Sequence, residues 1–533
     1  PDDFRLKEDF LPLGAKIKFS SSGGRSCQPV MPFQSLRLDN EVEIIAIGWT
    51  GNWFSEYERT AEGVHLRCGV SEVETYLKPG EKIRTAQILR MRCSEGPDTA
   101  RNRFRRLIRT HYTPSAVRDH DEGRFCMTFW GGINSDSIVQ RLQKACKEEL
   151  PFDFAWMDAA WYGYSAVPCP NDHTGEWYGR AGDWTVNKNF HPNDLEDVVK
   201  ASEESGMRFM LWFEPERASK GTDWPTAHPD YFLNSPYPGD NNILLNLGNK
   251  EAREFCTEQI SAFIEKLHLG CYRQDFNMDP LAFWQSADEP YRKGMTEIKY
   301  VMGLYDFYDS LLERFPDLLI DNCASGGRRI DIEMLSRSLA MWRTDYSCEW
   351  DADPEMIQGQ QGSISNWIPY SGACSGRVTL TDYAVRSGCG SSYVFNYWGF
   401  EDNNMDDSEQ SKELYGWVRR IGKEYHKLSS YFGYDYYPLI KPDFEKNTWT
   451  AWQYDRPEKN DGVIVVFRKS QSQMCAADLN PGGADADSIY EFESDTGKQF
   501  TLTGKELLEK GLHVELSEKG TSMILYYKKY KTV

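Results

Sequence analysis

Five short apolar runs in the middle of this chain end in carboxylic acids. Asp158 closes the first, in Trp156-Met157-Asp158-Ala159-Ala160-Trp161. Glu214 and Glu216 follow Trp212-Phe213, and Asp275 sits in Arg273-Gln274-Asp275-Phe276-Asn277. Asp321 opens the stretch Asp321-Asn322-Cys323-Ala324-Ser325-Gly326, and Asp345 ends Trp342-Arg343-Thr344-Asp345. A lone acid after a strand is ordinarily a helix N-cap. Five in succession, flanked by Trp and Cys, point instead to a shared cleft with aromatic walls. Glycoside hydrolysis uses such a cleft, because one carboxylate must attack and one carboxyl must donate a proton. Residue types and spacing support a sugar hydrolase at this point without selecting the pair.

These acids need elements that bring them to one end of a sheet. From Arg124 onward, short apolar runs alternate with longer amphipathic ones. The runs predict strands over Phe125–Phe129, Phe152–Asp158, Met207–Phe213, Cys271–Asp275, Leu318–Asn322, Leu339–Thr344, Ile368–Gly372 and Tyr393–Tyr397. Between them lie helical patterns such as Leu195–Ser205, Glu251–Leu267 and Lys299–Phe315. About eight β/α units over roughly 280 residues is the rhythm of a (β/α)8 TIM barrel, whose catalytic groups sit at the C-terminal ends of its strands. The first hundred or so residues read as all-β, with strands over Val42–Ile47 and Ile83–Leu89. A helix over Thr99–His111 presents Phe104, Leu107 and Ile108 on one face, and a polar linker follows from Thr113 to Gly123. After Ser430 strands return, at Trp449–Tyr454, Gly462–Arg468 and Met523–Tyr527. The expected organisation is an N-terminal β-sandwich-like domain with a connecting helix over residues 1–115, a barrel over 116–433 and a C-terminal β-sandwich over 434–533.

At 533 residues the chain exceeds one ordinary core. Its 40% hydrophobic and 27% charged residues describe a soluble globular protein. No apolar run approaches a membrane span. The net charge of −20 disfavours nucleic acid, since no basic excess exists to release counterions. Thirteen cysteines at irregular spacing argue against a disulfide framework and a structural zinc site, and most read as small buried apolar residues. The nine histidines show no metalloprotease-type HExxH spacing, and with no Walker loop or GxGxxG present neither a metal nor another cofactor is expected. The chain begins at Pro1 without an initiator Met or a signal-peptide pattern. It is read as trimmed from a longer precursor, with the bacterial cytoplasm and export both open. An assembly of identical copies is also left open.

Several segments resemble glycoside hydrolase family 36, the bacterial α-galactosidase or melibiase family. They are Gly182–Trp184 (GDW), Leu211–Arg217 (LWFEPER), Tyr272–Asn277 (YRQDFN), Asp321–Arg329 (DNCASGGRR) and Trp342–Asp345 (WRTD), in family order. Gly48–Trp53 (GWTGNW) resembles the end of the family's N-terminal sandwich. The resemblance implies a retaining exo-glycosidase acting on terminal α-linked, galactose-configured sugars of an oligosaccharide or glycoconjugate. It implies Asp275 as nucleophile, Asp345 as acid/base and Asp158 as a grip on sugar hydroxyls. Trp184 corresponds to a pocket wall, Cys323 and Gly326 to the pocket floor, and Arg273 stands where the family usually carries Lys. Asn277 and Trp342 complete the expected substrate contacts. A cation at Arg273, two positions from Asp275 on one strand face, would keep that acid ionised.

Two departures bear on substrate choice. Ala159 replaces the usual second Asp, and Asp240 falls where an Arg is usual. A carboxylate at 240 lining the pocket would favour an amine-bearing sugar, making α-galactosaminidase or α-N-acetylgalactosaminidase the alternative. On a solvated loop it would do nothing of the kind. Transglycosylation of the raffinose-synthase type is a second alternative. A sugar-binding protein with dead chemistry is disfavoured, because both Asp275 and Asp345 are present.

Overall fold

The computed structural model describes residues 3–119, 123–164, 177–349, 351–375, 380–395 and 408–531. Two small antiparallel sheets come first. One is formed by β1 (Lys16–Ser20), β4 (Trp53–Arg59) and β5 (Val64–Val70), the other by β2 (Phe33–Arg37), β3 (Val42–Gly48) and β6 (Gln87–Cys93). The strand expected over Ile83–Leu89 is therefore displaced to Gln87–Cys93. Its apolar start at Ile83 finds no partner, because β3 pairs only from Val42 opposite Cys93 to Gly48 opposite Gln87. Helix α1 (Pro97–His111) buries Ala100, Phe104 and Ile108. They join Phe33, Val42, Ile44 and Ala46 of the second sheet, and Ile332 and Ile364 from the central part of the chain.

The centre is a parallel barrel. β7 (Arg124–Phe129), β8 (Phe154–Met157) and β9 (Arg208–Phe213) pair in sequence order. A hairpin sheet of β10 (Arg217–Ser219), β11 (Phe232–Asn234) and β12 (Asn242–Leu245) interrupts the repeat. β13 (Cys271–Gln274) then pairs with β9, and β14 (Leu319–Asn322) with β13. β15 (Gly372–Ala373) and β16 (Ser392–Phe395) return to β7. The remaining gap is bridged by two residues: Leu339 pairs with Asp321, and Ala340 with Ser371. The six-residue strand expected over Leu339–Thr344 is thus reduced to this pair, and Asp345 opens a short 3-10 turn, Asp345–Cys348, rather than ending a strand. Ile368–Gly372 is likewise ladder-paired only from Ser371 onward. The last expected strand is β16 as far as Phe395, and Asn396 and Tyr397 lie outside the described residues.

Strand alternation sorts the side chains. Cys126, Phe154, Trp156, Met210, Cys271, Leu319, Leu339, Cys374 and Val394 form one buried cluster drawn from around the ring, which is the barrel interior. Neighbours such as Phe125, Met127, Phe209 and Tyr272 face the surrounding helices. Several cysteines therefore act as small lumen-filling residues, and among the described residues the cysteines are free thiols. A C-terminal antiparallel sheet follows. It runs in the order β17 (Asp435–Pro438), β18 (Trp449–Arg456), β19 (Asp461–Arg468), β24 (Thr521–Lys531), β21 (Ser488–Ser494), β22 (Gln499–Thr503), beside a two-stranded ribbon of β20 (Ala476–Leu479) and β23 (Leu512–Glu515). Among the described residues no helix is long and apolar enough to cross a membrane.

Candidate functional site

On β13 the side chains of Cys271, Arg273 and Asp275 share the inward face, because residues two apart on a strand point the same way. Cys271 fills the lumen. Arg273, 4% exposed, forms an ion pair with Asp321 on β14, its register partner. Its guanidinium also lies 4.4 Å from the Trp156 ring centre. Asp275 tops the column at the barrel mouth. Its Oδ1 accepts from the backbone N–H of Phe276 at 2.8 Å and of Ser325 at 3.1 Å. Its Oδ2 accepts from Asn277 Nδ2 at 2.8 Å and from Trp212 Nε1 at 3.2 Å. Burial alone would favour the neutral acid, but the Arg273 charge and hydrogen bonds from Asn277, the Ser325 backbone and Cys323 outweigh it and hold the carboxyl below its ordinary range.

Asp345 shares the mouth under opposite conditions. Its described donor is Trp342 Nε1, at 3.2 Å from Oδ1. The residue is open to solvent at the rim of the mouth, with the barrel-mouth loops packed beneath it. Desolvation there, followed by the nearby Asp275 charge, pushes its pKa up to about 6. The loop bearing Asp345 approaches the loop after β14 very closely. Gly326 has φ +81°, and a Cβ there would stand 2.8 Å from Thr344 Cα and 3.0 Å from Asp345 N. Any side chain at 326 would push the two loops apart. Ser325, next to it, holds φ +52°, and Ala160 after β8 holds φ +77°. Two non-glycine residues in the left-handed region on mouth loops mark backbone kept out of its preferred state by its surroundings.

Asp158 ends β8 half-buried, with Oδ1 accepting from the Ala159 backbone N–H at 2.8 Å. Trp184, 5% exposed, is packed among Trp161, Tyr162, Trp212, Phe213 and Trp224, and its Nε1 has no hydrogen-bond partner among the described residues. Cys323 is buried under the same mouth. Its Sγ accepts from Gly326 N at 3.4 Å, and burial with the adjacent Asp275 charge drives its thiol pKa far up.

The sequence pattern of the melibiase family matches residues 83–363. The chain belongs to the melibiase family. Among curated proteins it is 25% identical to the α-galactosidase Mel36A of Lactobacillus acidophilus, over 96% of this chain and 69% of that protein. It is also 25% identical to the α-galactosidase AgaA of Geobacillus stearothermophilus, over 89% of this chain and 65% of that protein. The chain thus spans about two thirds of the length of these relatives. The solved structure of AgaA, described as a GH36 α-galactosidase, superposes with a TM-score of 0.82 at 24% identity, covering 98% of this chain and 72% of AgaA. Variants of AgaA have been solved with stachyose and with raffinose.

Within this melibiase-family barrel, the two glutamates of the WFEPE stretch are structural ion pairs. Glu214 and Arg217 are both fully buried and meet at 2.5 Å. Glu216 is held by Arg329 at 2.6 and 2.9 Å, by Tyr300 at 2.5 Å and by Gln274 at 2.6 Å. Asn277 has its polar atoms engaged: Nδ2 on Asp275, Oδ1 accepting from Ser325 Oγ at 2.7 Å, and its backbone N–H on Glu214 at 2.6 Å. It braces Asp275 rather than presenting a free amide. Asp240 sits in the β11–β12 loop. Ser235 Oγ donates to its Oδ2 at 2.7 Å, and the Asn242 backbone and side-chain amides donate to Oδ1 at 2.9 Å each. These partners flank it in the β11–β12 hairpin. Trp212 and Ser325 were not singled out from sequence. Trp212 was discoverable, since it continues the inward alternation of Met210 and lies opposite Arg273 in register. Ser325 acts chiefly through a backbone N–H, which residue type does not reveal.

Proposed function

We propose that this chain is a retaining exo-glycosidase that removes terminal α-linked galactose from oligosaccharides, with Asp275 as nucleophile and Asp345 as acid/base. One observation carries the reading: two carboxyls share one barrel mouth, and the surroundings of one favour its anion while those of the other favour its neutral acid. Asp275 is stabilised as the anion, and Asp345 stays protonated up to about pH 6. A double displacement needs that division. Asp345 gives its proton to the glycosidic oxygen as the Asp275 carboxylate attacks the anomeric carbon and the C–O bond to the leaving group breaks. Asp345, now ionised, takes a proton from water, which attacks the anomeric carbon and releases Asp275.

Asp158 and Trp184 are assigned to the sugar, one as hydroxyl acceptor and the other as apolar wall. Arg273 is assigned to keeping Asp275 ionised, with Cys323, Gly326 and Trp342 shaping the floor. Raffinose-type α-galactosides, the ligands of the AgaA variants, are the substrates this reading favours. The amine-sugar alternative rests on Asp240, whose carboxylate oxygens are already engaged by Ser235 and Asn242, and this weighs toward the neutral galactoside. The test uses p-nitrophenyl α-glycosides of galactose, galactosamine and N-acetylgalactosamine, with NMR of the first-formed anomer. The expected result is preferential release of galactose as the α-anomer. A β-anomer would refute retention, and a faster galactosaminide would move the assignment to the alternative.

A further inference from the structure

The polypeptide between β1 and β2 belongs to the N-terminal β region, yet part of it lies against the barrel mouth. Leu281 N donates to Gly23 O at 3.1 Å, Cys27 N to Arg328 O at 2.9 Å, and Ser26 Oγ to Asp331 Oδ2 at 2.8 Å. Gly24 packs so closely that a Cβ there would stand 2.7 Å from Pro280 Cγ and 2.8 Å from Trp284. These contacts fasten the segment to the loop after β13 and to the loop after β14, the two loops that hold Asp275.

At the centre of this fastening is Arg25, 6% exposed. Its Nη1 donates to Phe276 O at 3.2 Å, to Ala324 O at 3.3 Å and to Ser325 Oγ at 3.4 Å. Its Nη2 meets Asp279 at 2.6 Å, and Nε donates to Gln28 Oε1 at 3.1 Å. The two carbonyls are informative. Ala324 C=O belongs to the same peptide unit as the Ser325 N–H, which donates to Asp275 Oδ1. Phe276 C=O belongs to the same unit as the Asn277 N–H, which donates to Glu214. A cation on a carbonyl oxygen polarises its amide and strengthens the N–H at the other end. It also fixes the plane of that amide, and therefore the direction in which the N–H points.

We infer that Arg25 is a positioning residue for the reaction proposed above: a guanidinium from the N-terminal region that polarises and orients the Ser325 amide against the attacking carboxylate of Asp275. The inference rests on Asp275 being the nucleophile. It makes docking of the segment around Arg25 part of assembling the active barrel mouth. Arg25 touches no substrate. Its charged neighbours on the packed elements are Asp279, Arg328 and Arg329, and Arg328 and Arg329 cannot replace it, since they lie on the loop being held.

Arg25→Met and Arg25→Lys in the full chain test this. Arg25→Met is expected to lower kcat about tenfold with KM changed far less, as for one lost charge-assisted hydrogen bond. The acid limb of kcat/KM should move to higher pH, because a less stabilised Asp275 anion protonates sooner. Arg25→Lys retains the charge without the fork, so it should fall between the two, and added guanidinium ion should restore part of the Arg25→Met activity. A fully structural role would lower the melting temperature without moving the acid limb. An unmoved acid limb in Arg25→Met overturns the inference whatever the loss of rate; if that variant does not fold, an unmoved limb in Arg25→Lys does so. Carboxyl 13C titration of Asp275 separates this from failure of the proposed function. If Asp275→Ala retains turnover the nucleophile assignment falls, whereas an Asp275 titration unchanged by Arg25→Met overturns the Arg25 inference alone.

Discussion

Asp275 and Asp345 share a chemistry and a barrel mouth, but the backbone beneath them differs. Asp275 follows a regular strand, above a column that begins with a lumen-filling cysteine and an ion-paired arginine. Two backbone amides and the side chains of Asn277 and Trp212 donate to it. Asp345 lies five residues beyond a two-residue bridge, in an irregular stretch with one described donor. Dense support from donors and a cation keeps one acid ionised despite full burial. Sparse support lets the desolvating surroundings and the first acid's own charge raise the pKa of the other to about 6. In the proposed mechanism, regular structure serves the group that must hold its charge still, and the irregular segment carries the group that must gain and lose a proton.

The largest effect should come from removing the well-supported acid. Asp275→Ala is expected to lower turnover by about 10^4-fold or more, because no second group stands in for a covalent nucleophile. A mechanism-based 2-fluoro galactoside should label Asp275 in wild type, read by peptide mass spectrometry, and labelling elsewhere would break the comparison. Next comes the sparsely supported acid. Asp345→Ala should cost about 10^2- to 10^4-fold on substrates with poor leaving groups and far less on activated aryl glycosides. Equal losses on both classes would remove its role as proton donor.

The pH profile sharpens the contrast without disabling the enzyme. Asp345, with its pKa raised to about 6, is protonated below that value, so kcat/KM should decline as pH rises through about 6. Asp275, with its pKa lowered, should limit activity only at a pH below the ordinary carboxylate range. Because the Asp275 charge helps raise Asp345, Asp275→Asn should lower the Asp345 pKa, as followed by 13C titration; an unchanged value would mean the two are not coupled. A smaller effect is expected from Trp212→Phe. It deletes one neutral donor to Asp275 at a cost of about 1 kcal/mol, or several-fold in kcat, with the acid limb moving up. The smallest change is expected at Asp240. Asp240→Asn should leave the galactoside-to-galactosaminide ratio within about twofold, since its carboxylate serves its own loop. A collapse of that ratio would restore the amine-sugar reading.

Much of this was legible in residue order. Alternation placed Arg273 and Asp275 on one face, the strand-end acids announced the barrel mouth, and helices at 196–204, 250–266 and 295–314 lay close to their expected bounds. These signals are local, carried by periods of two and 3.6 residues and by strand-end position. Leu339–Thr344 misled because its apolar run looked like a full strand, whereas ring closure left pairing positions for only Leu339 and Ala340. Glu214 and Glu216 stood among the strand-end acids because residue type does not distinguish a buried ion pair from a cleft carboxylate. Only their partners, Arg217 and Arg329, make that distinction.

The sequence by itself determined the class of chemistry and the barrel rhythm, since these depend on residue type and short-range spacing, while the two acids worth testing came from the resemblance to family 36. Tertiary structure alone decided which acid's pKa is lowered and which is raised, because a pKa depends on charges and donors brought together from distant parts of the chain. It also decided what each polar side chain is spent on. Asn277 braces Asp275, Asp240 closes its own loop, and Arg25, some 250 residues away in sequence from Asp275, holds the backbone behind it. A hydrogen bond to a carbonyl oxygen recognises a place in space and leaves no mark in the residue that supplies the carbonyl.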